Sequence, residues 1–457
     1  MKQLITFIAL YATIFTFGQN RIHEIDNLLN SLYAKGQLNG NFLIAEKGQV
    51  LYKKSFGLAN EETKQPLNEN SVFEIASVTK QFTAMAIMIL HEKGKLNLND
   101  NLSKFIPELS FYKGITIRHL LNHTSGLPDY MELFEKVFDS SKIATNKDVI
   151  SIFAQLQPKV LFAPNSKQEY CNTGYALLAS IIERASGENY PDFLQKAIFK
   201  PLEMTNSFVY KRRLAPKKID NYAFGYVYDE SSKKYILPDD VKETKFVIML
   251  DGVVGDGGVN STINDLLKWD RALYSNKLLS KKGVDEMFTM TTLNDSTKIK
   301  YGYGWEIDNH KEFGKIVYHG GGWPGYATFF ARHISDDKTI IILQNHDKIT
   351  LPVNLLRTIL YGENDTKKIV LNNEHLEKLV GAYELQPGFI IDIERQINQL
   401  YGKTAGQPTL ALIPETENSF LLEEIGAQIM FNFNTEGTVK SLTFSQGDMK
   451  MEGKKIK

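Results

Sequence analysis

Apolar positions run together or alternate at both ends of a long region and recur with helical spacing in its middle. Residues 42–45 and 50–56, separated by Lys47-Gly48, read as the two strands of a hairpin. Residues 72–90 are apolar nearly all round, the pattern of a helix buried in a core. Over 172–185, Leu178, Ile181, Ile182 and Ala185 fall on one stripe, and Gly187 stands where such a helix ends. Thr262 and Asp265 form a capping-box pattern ahead of Leu266, Trp269 and Leu273. Strand-like runs follow at 315–319, 326–333 and 338–344. Strands first and last with helices between predict one α/β (α+β) domain whose sheet joins N- and C-terminal strands.

Residues 367–373 read as a linker. Beyond them, short β runs at 389–394, 409–413, 420–422, 428–433 and 439–444 are punctuated by Gln386-Pro387-Gly388 and Thr435-Glu436-Gly437. The expectation is a small antiparallel β module over 374–457, after a larger domain over 19–366.

At the other end Lys2 precedes an apolar run over 4–17, broken only by Thr6, Thr13 and Thr16, with Gly18 after it. A basic start, a short apolar stretch and small residues at its end predict a signal peptide over 1–18. The run is shorter than the ~20 residues a membrane span needs. No cysteine follows it to carry a lipid, and no later stretch is long and apolar enough to span. The mature chain is therefore expected in the periplasm or secreted, without an integral membrane segment.

Composition narrows the picture further. With 43% hydrophobic and 23% charged residues the chain is globular rather than disordered. Lys+Arg and Asp+Glu are both 53, so no net field favours nucleic acid or an anionic membrane. The cluster Lys211-Arg212-Arg213 with Lys217-Lys218 reads as a solvated loop. The sole cysteine, Cys171, makes no internal disulfide and reads as a small, half-buried packing residue.

Three separated motifs carry chemistry. Ser77-Val78-Thr79-Lys80 is one of several Ser-x-x-Lys copies; the others are Ser110/Lys113, Ser231/Lys234 and Ser335/Lys338. Only Ser77 opens a long apolar helix, where positions i and i+3 share a face. Burial disfavours a charged lysine, which makes Lys80 a candidate base for the Ser77 hydroxyl. By itself the motif reads equally well as an N-cap serine with a snorkelling lysine. Tyr170-Cys171-Asn172 comes next: the Tyr170 hydroxyl could relay a proton and the Asn172 amide could hold a carbonyl, or Asn172 could simply cap a helix. His319-Gly320-Gly321 lies between two predicted strands, where glycines let a substrate lie against backbone. A backbone N–H there, with that of Ser77, could form an oxyanion hole; a plain glycine-rich hairpin is the other reading.

In this order and spacing the motifs resemble the serine β-lactamase and penicillin-binding-protein superfamily. The similar branch is that of class C β-lactamases, D-Ala-D-Ala carboxypeptidases, D-aminopeptidases and related esterases. The stretches 117–128 (Ile-Arg-His-Leu-Leu-Asn-His-Thr-Ser-Gly-Leu-Pro) and 255–269, opening Gly-Asp-Gly-Gly-Val-Asn-Ser-Thr, agree with it, and the resemblance covers roughly residues 22–360. It implies an antiparallel sheet flanked by helices, with a mostly helical insert. The tail resembles the lipocalin-like β-barrel modules appended to some members.

The resemblance also implies roles. Ser77 would be the acylated nucleophile, Lys80 its base and Tyr170 a second acid/base. Asn172, His319, Gly320 and Gly321 would bind substrate, and the N–H groups of Ser77 and Gly322 would form the oxyanion hole. His319 stands where lactamases carry a lysine that recognises a carboxylate. Histidine is mostly neutral at pH 7, which weakens the case for efficient β-lactam hydrolysis and suits esters and peptides at least as well. The expected function is an exported serine hydrolase acting on an amide, ester or β-lactam. The alternative is a penicillin- or peptidoglycan-binding protein that acylates or binds without efficient turnover. A lipocalin-like carrier with an inactive core would predict a lost motif residue, and none is lost. Serine acyl transfer needs no cofactor. His119 and His123, four apart, lack a nearby acidic ligand for zinc, so no metal is expected. The expected partner is a small molecule or peptide, cell-wall peptide included, and not nucleic acid.

Overall fold

A computed structural model describes residues 21–362 and 371–456, apart from 387, 397–398, 405–409, 415, 423–426, 435 and 447–448. The signal-peptide segment, positions 367–370 of the linker, and Pro387 and Thr435 of the two turn signals lie outside the described residues. The chain separates into two compact units, Met1–Tyr361 and Gly362–Lys457.

The first unit is built on a six-stranded antiparallel sheet. Its spatial order is Glu306–His310, Gly314–Trp323, Tyr326–His333, Lys338–Gln344, Gly40–Glu46 and Gln49–Phe56. The ends of the unit thus meet in mid-sheet, with Gly40 opposite Gln344 and Glu46 opposite Lys338. Side chains alternate across a strand, and here both faces are covered. Leu43 and Ala45 belong to the large core beneath the helical middle of the chain, whereas Phe42 and Ile44 pack with a helix over 21–34 and helix Val353–Tyr361. The strands therefore carry apolar residues on both faces, and Lys338–Gln344 is buried throughout.

Helices Thr79–Glu92 and Asn172–Ser186 pack against each other in the large core. Gly187, at φ +77°, ends the second in the left-handed conformation that glycine adopts without strain. Thr262 caps helix Ile263–Ala272 through the Asp265 N–H, but the Asp265 carboxylate turns away to accept from Asn206 N and Ser207 Oγ. The capping box is thus half formed.

Two expectations need correction. The apolar run over 72–90 is not one helix: it holds a short strand, Phe73–Glu74, a 3-10 turn, Ala76–Val78, and only then helix Thr79–Glu92. The apolar residues of all three are buried, so hydrophobicity is continuous across a break in backbone. The basic cluster is not merely solvated either. Arg213 bridges Asp239 and Asp251, and Arg212 joins it on Asp239.

In the second unit helix Asn373–Leu379, capped by Asn372, precedes eight strands that close into an antiparallel barrel. Closure comes from Gly381–Gln386 pairing with Met449–Lys455. Leu400, Leu412, Ile429, Phe431 and Leu442 fill its core. Among the described residues no helix is long and apolar enough to cross a membrane.

Candidate active site

The site grows from a strained turn. Strand Phe73–Glu74 pairs with Val259–Ser261, and the Ile75 N–H donates to Val259 O at 3.0 Å. The chain then reverses through Ala76, which has φ +47°, a left-handed conformation that costs a non-glycine residue ~1–3 kcal/mol. Ser77 follows in the 3-10 turn, two residues ahead of the long helix. Its side chain caps nothing, so the N-cap reading does not apply. The loop before Val259 is tied to the helix by Thr79 Oγ1, which accepts Val259 N at 3.2 Å, and by Thr83 Oγ1, which donates to Gly255 O at 2.6 Å.

Lys80 is fully buried on the first turn of that helix. Its Nζ lies 3.1 Å from Ser77 Oγ, 3.0 Å from Asn172 Oδ1 and 2.9 Å from Asp256 O. Two of these partners are carbonyl oxygens and can only accept. Ser77 Oγ alone has a proton to give. A neutral Lys80 keeps two N–H bonds to the carbonyls and turns its lone pair to the Ser77 hydroxyl; an ammonium donates to all three. One geometry therefore accommodates the amine before and after proton transfer.

Asn172 opens helix Asn172–Ser186, and Cys171 occupies the cap position. The Asn172 N–H and Nδ2 both donate to Asp129 Oδ2, at 2.8 and 3.0 Å. The other oxygen of Asp129 accepts Met131 N at 3.0 Å, capping helix Tyr130–Val137. One carboxylate thus closes two helix N-termini and fixes the amide that faces Lys80. Cys171 is buried rather than half-buried; its Sγ donates to Leu127 O and burial pushes the thiol up to about 12, which removes it as a nucleophile.

Tyr170 is 44% exposed, and its ring lies 4.9 Å below Lys80 Nζ. Its hydroxyl makes no hydrogen bond among the described residues. Behind it stands an aromatic wall of His123, Tyr175, Tyr301 and His319. His319 is buried. Its Nδ1 lies 2.6 Å from Gly320 O, so Nδ1 carries the proton and Nε2 accepts the Tyr301 hydroxyl at 3.0 Å. Burial, with Lys80 nearby, pushes His319 down to about 3. His123 is likewise held well below its ordinary value by burial and Lys80, and its Nδ1 accepts the Cys171 N–H. His119 Nδ1 is occupied by the Thr116 N–H.

Strand Gly314–Trp323 is paired on one side along its length by Tyr326–His333. On the other side Glu306–His310 covers it only as far as Tyr318, so Gly320–Trp323 present a strand edge without a strand partner among the described residues. Gly321 presses on the Ser77 turn. A β-carbon there would run into Ile75 O and Thr328 Oγ1, the latter bonded to Ile75 O at 2.9 Å. Gly322 has open space around it. A pocket of about 310 Å³ is lined by Ser77, Tyr170, Asn172, Gly322 and Trp323, together with Glu74, Tyr130, Asp251 and Asp256. Ser77, Tyr170, Asn172 and Gly322 thus line one cavity, and Lys80 reaches it through Ser77 and Asn172, while His319, Gly320 and Gly321 are not among the lining residues.

Comparison with known proteins identifies the family and the fold. A family model described as beta-lactamase matches residues 25–358. The chain belongs to the beta-lactamase family. A domain of unknown function, DUF3471, matches residues 365–457. The chain is 42% identical over 441 residues to penicillin-binding protein 4* of Bacillus subtilis, covering 94% of this chain and 98% of that one. Among solved structures, the octameric penicillin-binding protein homologue from Pyrococcus abyssi aligns with a TM-score of 0.67 at 24% identity, over 94% of this chain and 99% of that chain. D-amino acid amidase from Ochrobactrum anthropi aligns at 0.59 and 24%, over 75% and 97%. Both structures share the family fold.

Sequence reasoning assigned no role to Asp129, Asp256, Tyr301 or Glu74. Asp256 lies within the stretch 255–269 already singled out, and Asp129 directly follows the stretch 117–128. Tyr301 and Glu74 carry no local signal.

Proposed function

We propose that this chain is an exported serine hydrolase that works through an acyl-enzyme on Ser77 and acts on an amide, ester or β-lactam. The observation that carries the reading is the 3.1 Å approach of Lys80 Nζ to Ser77 Oγ at the wall of a pocket. In the proposed reaction Ser77 Oγ attacks the substrate carbonyl carbon while its proton passes to Lys80. The negative oxygen that forms faces the backbone N–H groups of Ser77 and Gly322. Collapse expels the leaving group, which takes its proton through the Tyr170 hydroxyl, and water then cleaves the acyl ester by the reverse route. The absence of a hydrogen bond at Tyr170 Oη among the described residues suits a group that must reach an incoming substrate.

Asn172 serves twice in this reading. Its carbonyl oxygen holds Lys80, and its Nδ2, bonded once to Asp129, keeps a second N–H whose only contact among the described residues is the long 3.6 Å approach to Met131 Sδ. That N–H is available to a substrate carbonyl. The pocket-lining end of the edge, Gly322–Trp323, supplies backbone groups for an extended substrate. His319, neutral and buried, acts through the Tyr170 wall rather than by charge. Export is supported by the pattern of residues 1–18.

The test is intact-mass measurement and turnover with benzylpenicillin, p-nitrophenyl acetate and a D-Ala-D-Ala peptide, each against Ser77→Ala. A covalent adduct or turnover that is lost in the variant is the expected result. Adducts or turnover that persist in Ser77→Ala refute the assignment.

A further inference from the structure

The pocket beside Ser77 is lined by acidic side chains. Three carboxyl groups line it: Glu74, Asp251 and Asp256. Two are already engaged. Asp251 accepts Arg213 Nη1 at 3.1 Å and the N–H groups of Arg213 and Leu214, both at 2.8 Å. Asp256 accepts the Tyr130 hydroxyl at 2.9 Å. Glu74 differs: among the described residues its carboxyl has neither a hydrogen bond nor an ion pair. The two arginines near it, Arg212 and Arg213, are held by Asp239 and Asp251. The strand register sets Glu74 opposite Asn260, whose buried Oδ1 also lacks a donor. Opposed residues of an antiparallel pair project to the same face. Three residues before the nucleophile the pocket lining therefore offers a carboxyl without a donor, and the two arginines near it are already paired, among the described residues.

We infer that Glu74 is a specificity residue which selects substrates bearing an ammonium group close to the scissile carbonyl. The inference rests on the acyl-serine reading for the position of the carbonyl, and it narrows the substrate class to amides and esters of amino acids with a free amine. An ammonium brings three N–H donors to a carboxyl that has no donor among the described residues, and a charge beyond those of Arg212 and Arg213. A substrate carboxylate, by contrast, would meet three acidic side chains here and a neutral histidine behind the strand.

The charges acting on Glu74 are those of Arg212, Arg213, Asp251 and Asp256, and Glu74 in turn acts on the Tyr222 and Tyr326 hydroxyls. Burial pushes its carboxyl up to about 7 against the pull of Arg213. Below that pH the free protein holds a proton on Glu74, and an incoming ammonium displaces it. Binding therefore releases a proton between about pH 5 and 7.

The experiment is titration calorimetry of D-alaninamide and N-acetyl-D-alaninamide into the full chain, into Glu74→Gln and into Ser77→Ala. Running it at pH 6 in buffers of different ionisation enthalpy counts protons. A charge-assisted hydrogen bond corresponds to about a 10- to 100-fold preference. The wild type and Ser77→Ala are expected to bind the free amine at least tenfold more tightly than its acetylated form, with proton release. In Glu74→Gln the preference falls to within about threefold and the proton release disappears. No saturable binding of the amine, equal affinity for both compounds, or a preference that survives Glu74→Gln overturns the inference. Because Ser77→Ala tests binding without turnover, failure of the acyl-serine reading shows separately, as activity that does not depend on Ser77.

Discussion

Replacing His319 by asparagine should make the first unit less sensitive to mild acid. The ring is buried, and its folded-state value of about 3 lies far below the ~6.5 of an exposed histidine. Between these values the unfolded chain binds a proton that the folded chain refuses. Stability is therefore complete above about pH 6.5 and is lost as pH falls toward 3. At pH 5.5 the unfolded histidine is about ten parts protonated to one part neutral, which amounts to ~1.4 kcal/mol lost relative to neutral pH. Folded proteins hold only ~5–15 kcal/mol, so one ring is measurable. Other groups titrate over the same range. His333 is also buried, and desolvation holds it at about 3, while Glu74 at about 7 works with the opposite sign. The quantity to compare is therefore the acid sensitivity of wild type minus that of His319→Asn.

Trp269, Trp305 and Trp323 are the only tryptophans and all lie before residue 361, so their fluorescence reports the first unit alone. Urea unfolding at pH 7.5 and 5.5 should show the variant losing about 1.4 kcal/mol less than wild type across the interval. Equal losses refute the burial argument. A neutral His319 also predicts that no group with an apparent pKa near 6.5 in the rate profile disappears on His319→Asn; one that did would show the ring titrating in reach of solvent.

Three further substitutions probe the frame of the site. Gly321→Ala forces a β-carbon against Ile75 O, so turnover should fall by about 100-fold or more from displacement of Ser77, with ~1–3 kcal/mol lost to overpacking; kinetics and urea unfolding together check it, and an unimpaired variant refutes the close approach. Asp129→Ala removes the capping acceptor of two helices, at about 1 kcal/mol each, and frees the Asn172 amide, so stability and kcat should fall together. Tyr170→Phe keeps the ring beneath Lys80 and removes a hydroxyl with no hydrogen bond among the described residues; Tm should hold while kcat/KM drops about 100-fold or more, and unchanged kcat/KM rejects Tyr170 as the proton relay.

The legible parts of the chain were those where one local pattern decides the outcome. Helical spacing put Lys80 beside Ser77, and the β runs at 315–319, 326–333 and 338–344 lie within three strands of the sheet. The turn at Ala76 was hidden because the apolar residues of strand, turn and helix are buried and share one hydrophobic run. Several barrel strands were missed for the reverse reason. Met449–Lys455 is mostly polar in sequence and becomes a strand through pairing with Val439–Gln446 and Gly381–Gln386. Tyr301 and Asp129 owe their positions to contacts across the fold, with His319 and with two helix ends, which no window of sequence contains.

The meeting of chain ends in mid-sheet bears on how the protein is made. Gly40–Glu46 has its inner neighbour in Lys338–Gln344, and the bond that the Asn39 N–H donates to Gln344 Oε1 spans 305 residues. During synthesis the early hairpin waits for nearly the whole first unit before its sheet closes. Such long loop closure slows folding and leaves the inner edge of the hairpin open meanwhile. A chain cut anywhere before Lys338 therefore lacks the inner neighbour of its first strand and leaves the sheet open.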